Sequence, residues 1–169
     1  PSYDIQCRML ELKPIHVPVN KENFHPNLDA IEAAITDKTK MLVVNSPNNP
    51  TGAVYTPEEI TQLLEIAKKH DLWLISDEIY ARLNWTEWEH LSPASLEGGD
   101  ERTIVITGWS KSFAMTGWRI GVVSGPEKVM RAMGKLQANA CSHIPSFLMD
   151  AALAALASEI DDAVEEFKN

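Results

Sequence analysis

Short apolar runs, each followed directly by a cluster of polar and turn-forming residues, constrain this chain more than any other feature. The three clearest runs are Lys40 to Val44, Trp73 to Ser76 and Thr103 to Thr107. Their length and continuous apolar character are typical of strands buried on both faces of a sheet. Such strands need helices to cover them, and the intervening sequence must supply those helices.

Helical patterns do lie between and around the strands. Asn27 to Thr36 has apolar residues at helical spacing. Thr56 is a predicted cap, followed by a proline at the first helical position and a glutamate three residues after the cap, and this helix should end near His70. Further helices are predicted from Pro126 to about Ser142, after Pro145, and in the acidic tail, Glu159 to Asn169.

The succession of strand, helix and strand predicts an α/β fold with a mostly parallel sheet and helices on both faces. Only twelve residues without a helical pattern separate Thr107 from Ile120, so Ile120 to Ser124 is predicted to return as one antiparallel strand. Ile15 to Val19 is rich in β-formers and is predicted to be a further strand, whereas Tyr80 to Gly99 is predicted to be irregular.

Composition excludes several classes of protein. The chain has 169 residues, of which 44% are apolar, enough for one domain with a core. Its net charge of −9 argues against nucleic acid as a partner, and no run approaches the roughly 20 apolar residues of a membrane span. Two distant cysteines and no signal-like opening favour a cytoplasmic protein with reduced thiols. The five histidines have neither metal-ligand nor triad spacing, so no metal site is predicted.

The polar residues that follow the strands are candidate functional groups. Asn49, Asp77 and Lys111 each come after a predicted strand, and the carboxyl ends of parallel strands meet at one edge of a sheet. Lys111 lies in a mostly apolar, glycine-containing segment, where desolvation favours a neutral, nucleophilic amine. Arg119 would begin the antiparallel strand at the same edge and offers a fork suited to phosphate. An amine beside a phosphate-binding arginine suggests pyridoxal phosphate chemistry.

Three motifs then occur in order along the chain: NNPTG at 48–52, SDEIY at 76–80 and SKSFAMTGWRIG at 110–121. With these motifs the chain resembles the class I/II aminotransferases, which are fold-type I enzymes dependent on pyridoxal 5'-phosphate. The resemblance implies a homodimer that moves an amino group from an amino acid to a 2-oxo acid. Aspartate, alanine, aromatic amino acids and kynurenine are all substrates of such enzymes, and the choice among them stays open.

The resemblance also implies roles for individual residues. Lys111 would be the Schiff-base lysine that afterwards moves the substrate proton, and Asp77, rather than Glu78, would pair with the pyridine nitrogen. Asn49 and Tyr80 would donate to the phenolic oxygen of the cofactor. The site residues inferred in this way are Asn49, Asp77, Tyr80, Ser110, Lys111 and Arg119.

Two positions near these residues depend on the family pattern. Many relatives carry a serine that binds phosphate three residues before the lysine, where this chain has Gly108, and Ser110 or Thr107 could replace that contact. The family also implies a cis peptide bond before Pro50.

The resemblance implies that the chain is incomplete. Residues 1–142 would be part of the large domain that binds the cofactor, and 143–169 a helical segment leading toward a small domain. The main phosphate loop and an aromatic residue stacked on the cofactor ring would precede this segment, and the arginine that recognises the substrate carboxylate would follow it. The strand flanking Ile120 to Ser124 would also lie upstream, so the isolated chain should be dimeric or poorly soluble.

Two alternatives remain open. Another fold-type I enzyme, such as a β-lyase or a cyclopropane-forming synthase, would use the same cofactor for a different reaction. This chain by itself could instead be catalytically inert or weak, as a structural core or a non-catalytic binder of an acidic cofactor.

Overall fold

The computed structural model of the protein describes residues 2–157 and 161–168. Its strands are β1 (Met41–Asn45), β2 (Trp73–Asp77), β3 (Thr103–Gly108) and β4 (Gly121–Ser124). Its helices are α1 (Ser2–Met9), α2 (Leu28–Ala34), α3 (Pro57–Lys69), α4 (Glu127–Ala140), α5 (Ser146–Ala157) and α6 (Asp161–Glu166). Short 3-10 turns occupy Pro93–Ser95 and Thr116–Trp118.

The four strands form one sheet in the order β1-β2-β3-β4. β1, β2 and β3 are parallel, and β4 is antiparallel to β3. A parallel connection normally needs a crossover of a dozen or more residues, whereas the short link between β3 and β4 suits an antiparallel return. The structure therefore confirms the predicted α/β fold with a mostly parallel sheet and a single antiparallel strand.

The main hydrophobic core lies between one face of the sheet and α3. Val44 of β1 and Leu74 of β2 pack there against Leu63 and Leu64 of α3, and these two leucines are only 1% exposed. Side chains alternate between the two faces of a strand, and Val43 and Ile75, on the opposite face, are half-buried. The prediction of strands buried on both faces is thus wrong for these described residues, because α2 and α3 cover only one face closely.

The helices of this core begin where the sequence predicts. Thr56 caps α3 by accepting a hydrogen bond from the Glu59 amide, and the Glu59 carboxylate accepts from the Thr56 amide. This reciprocal capping satisfies two backbone donors that the first helical turn would leave unpaired. Asn27 caps α2 with a single hydrogen bond, which its side-chain oxygen accepts from the Ala30 amide.

Two features near the start of the chain differ from the predictions. Ile15 to Val19 forms no strand, and the side chain of Ile15 is 57% exposed. β-forming residues make a strand only where a partner offers a hydrogen-bond ladder, and Pro18 lacks the amide hydrogen that a ladder requires. The sequence does not predict helix α1, because its apolar residues Tyr3, Ile5, Cys7 and Met9 alternate along the chain instead of recurring at helical spacing.

The C-terminal helices pack against the segment that follows β3. The indole nitrogen of Trp109 donates to the Ala152 carbonyl of α5 at 3.1 Å, and Trp109, Ile120 and Ala152 form a second buried cluster. The predicted helices after Pro126 and Pro145 are confirmed as α4 and α5. Of the predicted helical tail, Asp161–Glu166 is α6, whereas Glu159, Ile160 and Asn169 lie outside the described residues. Among residues 2–157 and 161–168, every helix is too short or too polar to cross a lipid bilayer.

The edge strand β4 leads to a prediction about association. Val122 and Val123 are 40% and 37% exposed, and β4 has β3 as its one neighbour among the described strands. An exposed apolar edge pairs readily with another chain, so the isolated chain should be dimeric or aggregated in light scattering. Val123→Lys should shift it toward monomer, whereas Ala33→Lys, which adds the same charge at an exposed position of α2, should not. A monodisperse wild-type monomer would contradict this prediction.

Candidate active site

The ends of the four strands bring the predicted site residues to one edge of the sheet. Asn45, Asp77 and Ile106 lie side by side at the carboxyl ends of β1, β2 and β3. Gly108 pairs with Gly121 where β4 begins. The polar segments that follow β1, β2 and β3 and the one that precedes β4 therefore all start from this edge.

Asn49, Tyr80 and Lys111 form a contact group at this edge, although they are far apart in sequence. The side-chain Nδ2 of Asn49 donates to the Tyr80 hydroxyl oxygen at 2.9 Å. The Lys111 Nζ lies 5.4 Å from the centroid of the Tyr80 ring, within the range of a cation–π interaction. Since the Tyr80 oxygen accepts from Asn49, its own hydrogen can be donated to a bound ligand.

The turn after β1 places Asn49. The backbone amide of Asn49 donates to the Asn45 side-chain oxygen at 3.1 Å. The Thr51 hydroxyl donates to the Asn48 side-chain oxygen at 2.8 Å. Gly52 has φ +75°, a left-handed conformation that favours glycine. The peptide bonds before Pro47 and Pro50 are both cis, which confirms the expectation for Pro50.

Asp77 ends β2 with both carboxylate oxygens in hydrogen bonds. Its Oδ2 accepts from the Tyr3 hydroxyl at 2.6 Å, and its Oδ1 accepts from the Ile79 amide at 3.3 Å. The Asp77 carbonyl accepts from the Asn45 side chain at 3.1 Å, which ties the end of β2 to β1. Burial, together with the hydrogen bond and the negative charge of Asp77, raises the pKa of the Tyr3 hydroxyl.

Tyr3 is a site residue that sequence reasoning missed. The structure places the hydroxyl of Tyr3, from α1, beside the Asp77 carboxylate. Because 74 residues separate Tyr3 from Asp77, no local spacing connects them. The single available signal was an aromatic residue in a stretch to which no strand or core role had been assigned.

The link between β3 and β4 carries Ser110, Lys111 and Arg119. Arg119 has φ 56°, is exposed, and donates from its guanidinium to the Thr116 carbonyl at 3.0 Å. Lys111 and Ser110 are half-buried. The register of Gly108 with Gly121 puts Ser110 two residues beyond β3 and Arg119 two residues before β4, on the same edge.

Close backbone contacts at Gly108 leave no room for a larger residue. A Cβ at this position would lie 2.8 Å from the Ile120 carbonyl oxygen and 2.9 Å from the Gly121 Cα, distances that real Cβ atoms essentially never show. A serine therefore does not fit here without a backbone shift. Ser110 and Thr107 are the two proposed replacements for the serine that binds phosphate. Strand alternation puts Thr107 on the same sheet face as Thr103, and the register of β2 with β3 puts Asp77 on the other face.

Glu78 follows Asp77 but belongs to a different group of contacts. It is only 7% exposed, and its carboxylate accepts from Ser92 at 2.7 Å and lies 3.0 Å from the His90 Nε2. Burial alone would raise the pKa of Glu78, but hydrogen bonds from His90, Ser92 and Ser76 outweigh burial, so this pKa lies below its usual value of 4.5.

This lowered pKa predicts how stability depends on pH. A carboxyl group whose pKa is lower in the folded chain stabilises the fold above its unfolded pKa, and that stabilisation is lost as the pH falls through the folded pKa. We therefore expect the free energy of unfolding to fall on acidification below about pH 4.5, and to fall less steeply in Glu78→Gln. Urea unfolding between about pH 3 and 7 measures both slopes. Glu97→Gln, at an exposed glutamate, should follow the wild type, and equal slopes in all three proteins would disprove the prediction.

Histidine, cysteine and carboxylate side chains are typical of metal sites and catalytic triads. Within the described part of the chain, no group of three or more histidine, cysteine, aspartate or glutamate side chains could hold a metal ion. His16, His25, His70 and His90 each lie beside a carboxylate. Cys7 and Cys141 are both free thiols.

Comparisons with known proteins agree with this arrangement. The aminotransferase class I and II family matches residues 1–168. Aspartate aminotransferase of Pyrococcus abyssi is 42% identical over 158 residues, covering 92% of this chain and 41% of that protein. Aromatic-amino-acid aminotransferase 2 of Thermococcus litoralis has the same identity and coverage.

Solved structures give the same result. A double mutant of Thermus thermophilus aspartate aminotransferase is 40% identical to this chain, with a TM-score of 0.91 over 98% of this chain and 43% of that one. The chain thus spans about two fifths of the length of these relatives. Because the family matches nearly the whole chain and these relatives share about two fifths of its residues, we conclude that the chain belongs to the class I and II aminotransferase family.

Proposed function

We propose that this chain carries part of the active site of a pyridoxal-phosphate-dependent aminotransferase, which moves an amino group from an amino acid to a 2-oxo acid. The observation that supports this most is the contact group of Lys111, Tyr80 and Asn49 beside Asp77. A primary amine, a phenol that can donate its hydrogen, an amide and a carboxylate meet at one sheet edge. These are the groups that a phosphorylated pyridine aldehyde requires.

The residues fit the cofactor as follows. The Asp77 carboxylate would bind the pyridine nitrogen, and the Tyr80 hydroxyl would donate to the phenolic oxygen, with Asn49 holding that hydroxyl in place. Arg119 and Ser110 would hold the phosphate. Ser110 is favoured over Thr107 because Thr107 lies on the opposite sheet face from Asp77. When bound, pyridoxal phosphate supplies a ring that accepts electrons from the substrate Cα.

Lys111 would act twice. Its amine would first hold the cofactor covalently, and after the substrate amine displaces it, the same amine would move the proton between the substrate Cα and C4′ of the cofactor. A positioned base contributes about 10²–10⁴-fold to such a proton transfer. Lys111 is half-buried, so part of the bulk water is kept away from this amine.

Tyr3 can keep its contact with Asp77 in this scheme. Its hydroxyl binds the Asp77 Oδ2, one of the two oxygens that could receive the pyridine nitrogen. Each carboxylate oxygen has two lone pairs, so either oxygen could accept from the pyridine nitrogen while it keeps its present donor, Tyr3 or the Ile79 amide.

The direct test is an absorbance spectrum with added pyridoxal phosphate, before and after borohydride, followed by peptide mass mapping. A near-ultraviolet to visible band and a reduced adduct on Lys111 would support the proposal. Lys135 on exposed α4 provides the comparison within the same digest, because chance labelling should modify it as much as Lys111. Equal labelling, or no adduct on any lysine, would refute a competent site in this chain and favour the inert alternative.

Product analysis separates aminotransfer from the other reactions of the same cofactor. A new amino acid formed from an added 2-oxo acid indicates transfer, whereas ammonia with pyruvate indicates a β-lyase, and a cyclopropane product indicates a synthase. Aspartate is the first donor to test, because relatives from Pyrococcus abyssi and Thermus thermophilus are named for aspartate. An aromatic donor is next, from the Thermococcus litoralis relative.

We also propose that the protein is a homodimer. Exposed large apolar side chains on β4, α4 and α5 support an interface on this side of the chain. They include Val122, Leu136, Phe147, Leu153 and Leu156. A cytoplasmic location stays a prediction.

A further inference from the structure

Asp77 and Glu78 are adjacent in sequence, but strand alternation sends their side chains to opposite faces of the sheet. Asp77 lies on the face reached by Tyr3. Glu78 follows Ser76 on the face covered by α3, and its carboxylate is buried beside His90 and Ser92. The end of β2 is therefore held from both faces.

Glu78 also begins the turn that carries Tyr80. The Glu78 amide donates to the Ile106 carbonyl of β3 at 2.8 Å, and the Glu78 carbonyl accepts from the Ala81 amide at 2.9 Å. The Ile79 amide binds the Asp77 carboxylate. Asp77, Glu78 and Tyr80 thus belong to one hydrogen-bonded turn, and a shift of Glu78 would move the other two.

The contacts of the Glu78 side chain are strong enough to fix this turn. Hydrogen bonds to a charged group are worth more than neutral ones, and burial increases their strength. His90 and Ser92 come from a segment without regular structure, which the 3-10 turn Pro93–Ser95 ends. Their contacts with Glu78 connect that segment to the end of β2.

We propose that Glu78, held by His90 and Ser92, is a positioning residue that sets the places of Asp77 and Tyr80 in the site. This inference rests on the proposed function for the roles of Asp77 and Tyr80. Glu78 touches neither substrate nor cofactor in this scheme, and acts through the turn.

The first test measures amide hydrogen exchange by NMR in the chain itself. Glu78→Ala should raise the exchange rates of the Ile79 and Ala81 amides about tenfold or more, because their turn loses its anchor. The core of α3, monitored at the Leu64 amide, should change far less. Glu78→Gln keeps an acceptor for Ser92 and should restore most of the protection. If the Ile79 and Ala81 amides exchange in Glu78→Ala as they do in the wild type, the inference is wrong.

A matched pair of histidine variants provides the control. His90 and His25 each lie within 3.0 Å of a glutamate oxygen, and each side chain is 16% exposed. His25 contacts Glu59 at the start of α3, outside the candidate site. His90→Ala should raise the hydrogen exchange rates of the Ile79 and Ala81 amides, whereas His25→Ala should leave these rates unchanged. Equal effects of the two variants would overturn the inference by indicating general destabilisation.

A second readout connects the turn to the cofactor. Glu78→Ala should weaken pyridoxal phosphate binding, followed by absorbance, about tenfold or more, whereas a core variant that loses more stability, Leu63→Ala, should bind normally while folded. If Leu63→Ala weakens binding as much as Glu78→Ala, the positioning role fails. If the wild type forms no adduct on Lys111, the proposed function fails, and the exchange experiment still decides whether Glu78 holds Asp77 and Tyr80 in place.

Discussion

Lys111→Arg should abolish the borohydride-trapped adduct and should lower the rate of the proposed amino-group transfer by about 10²–10⁴-fold in the protein that carries this chain. Arginine keeps the positive charge above the Tyr80 ring. It cannot form an imine or exchange a proton near neutral pH, because the guanidinium stays protonated. The expected result therefore separates the chemistry of the amine from its charge.

The measurement combines mass mapping of the reduced protein with single-turnover transfer from aspartate. Lys135→Arg, on the exposed face of α4, should retain both the adduct and the rate. A Lys111→Arg protein with an undiminished rate would show that another group carries the proton. The assignment of Lys111 would then be wrong, although the family membership would stand.

Leu63→Ala has the largest expected effect on stability. The Leu63 side chain is 1% exposed and packs in the core between α3 and the sheet, together with Val44 and Leu74. Truncation removes buried apolar atoms and leaves a cavity, so the free energy of unfolding should fall by about 2–5 kcal/mol. That is a large fraction of the stability of a domain of this size.

Urea unfolding followed by circular dichroism measures this loss. Leu10→Ala, just after α1, removes the same atoms from a residue that is 71% exposed, and should change the free energy of unfolding by no more than about 0.5 kcal/mol. Equal losses in the two variants would mean that the core described between α3 and the sheet does not dominate stability.

Several predictions that depended on local pattern are confirmed. The cap at Thr56 is where the sequence predicts it, and the strands predicted to end at Val44 and Ser76 end one residue later, at Asn45 and Asp77, because capping and apolar continuity are local properties. The antiparallel β4 could be predicted because a short link has few ways to return. The failure at Ile15 to Val19 has the opposite cause: a strand needs a partner, and composition does not reveal whether one is present.

The site residues also fall into those that motifs predict and those that only long-range contacts reveal. The motifs were enough to predict Asn49, Asp77, Tyr80 and Lys111 as one group, and the sheet edge brings them to the same place. Tyr3 could not be found, because its contact with Asp77 spans 74 residues. Glu78 was identified only as the less favoured neighbour of Asp77, since its partners His90 and Ser92 come from a segment without a regular pattern.

The amino-acid sequence by itself determined the order of strands and helices from α2 to α5, the capping of α3 and the family motifs, because each depends on residues close together in the chain. Only the tertiary structure decided which sheet face is buried, that Tyr3 reaches Asp77, and that Glu78 is anchored behind it. Those outcomes depend on contacts between distant segments, which form only where packing and the hydrogen bonds of buried polar groups are satisfied together.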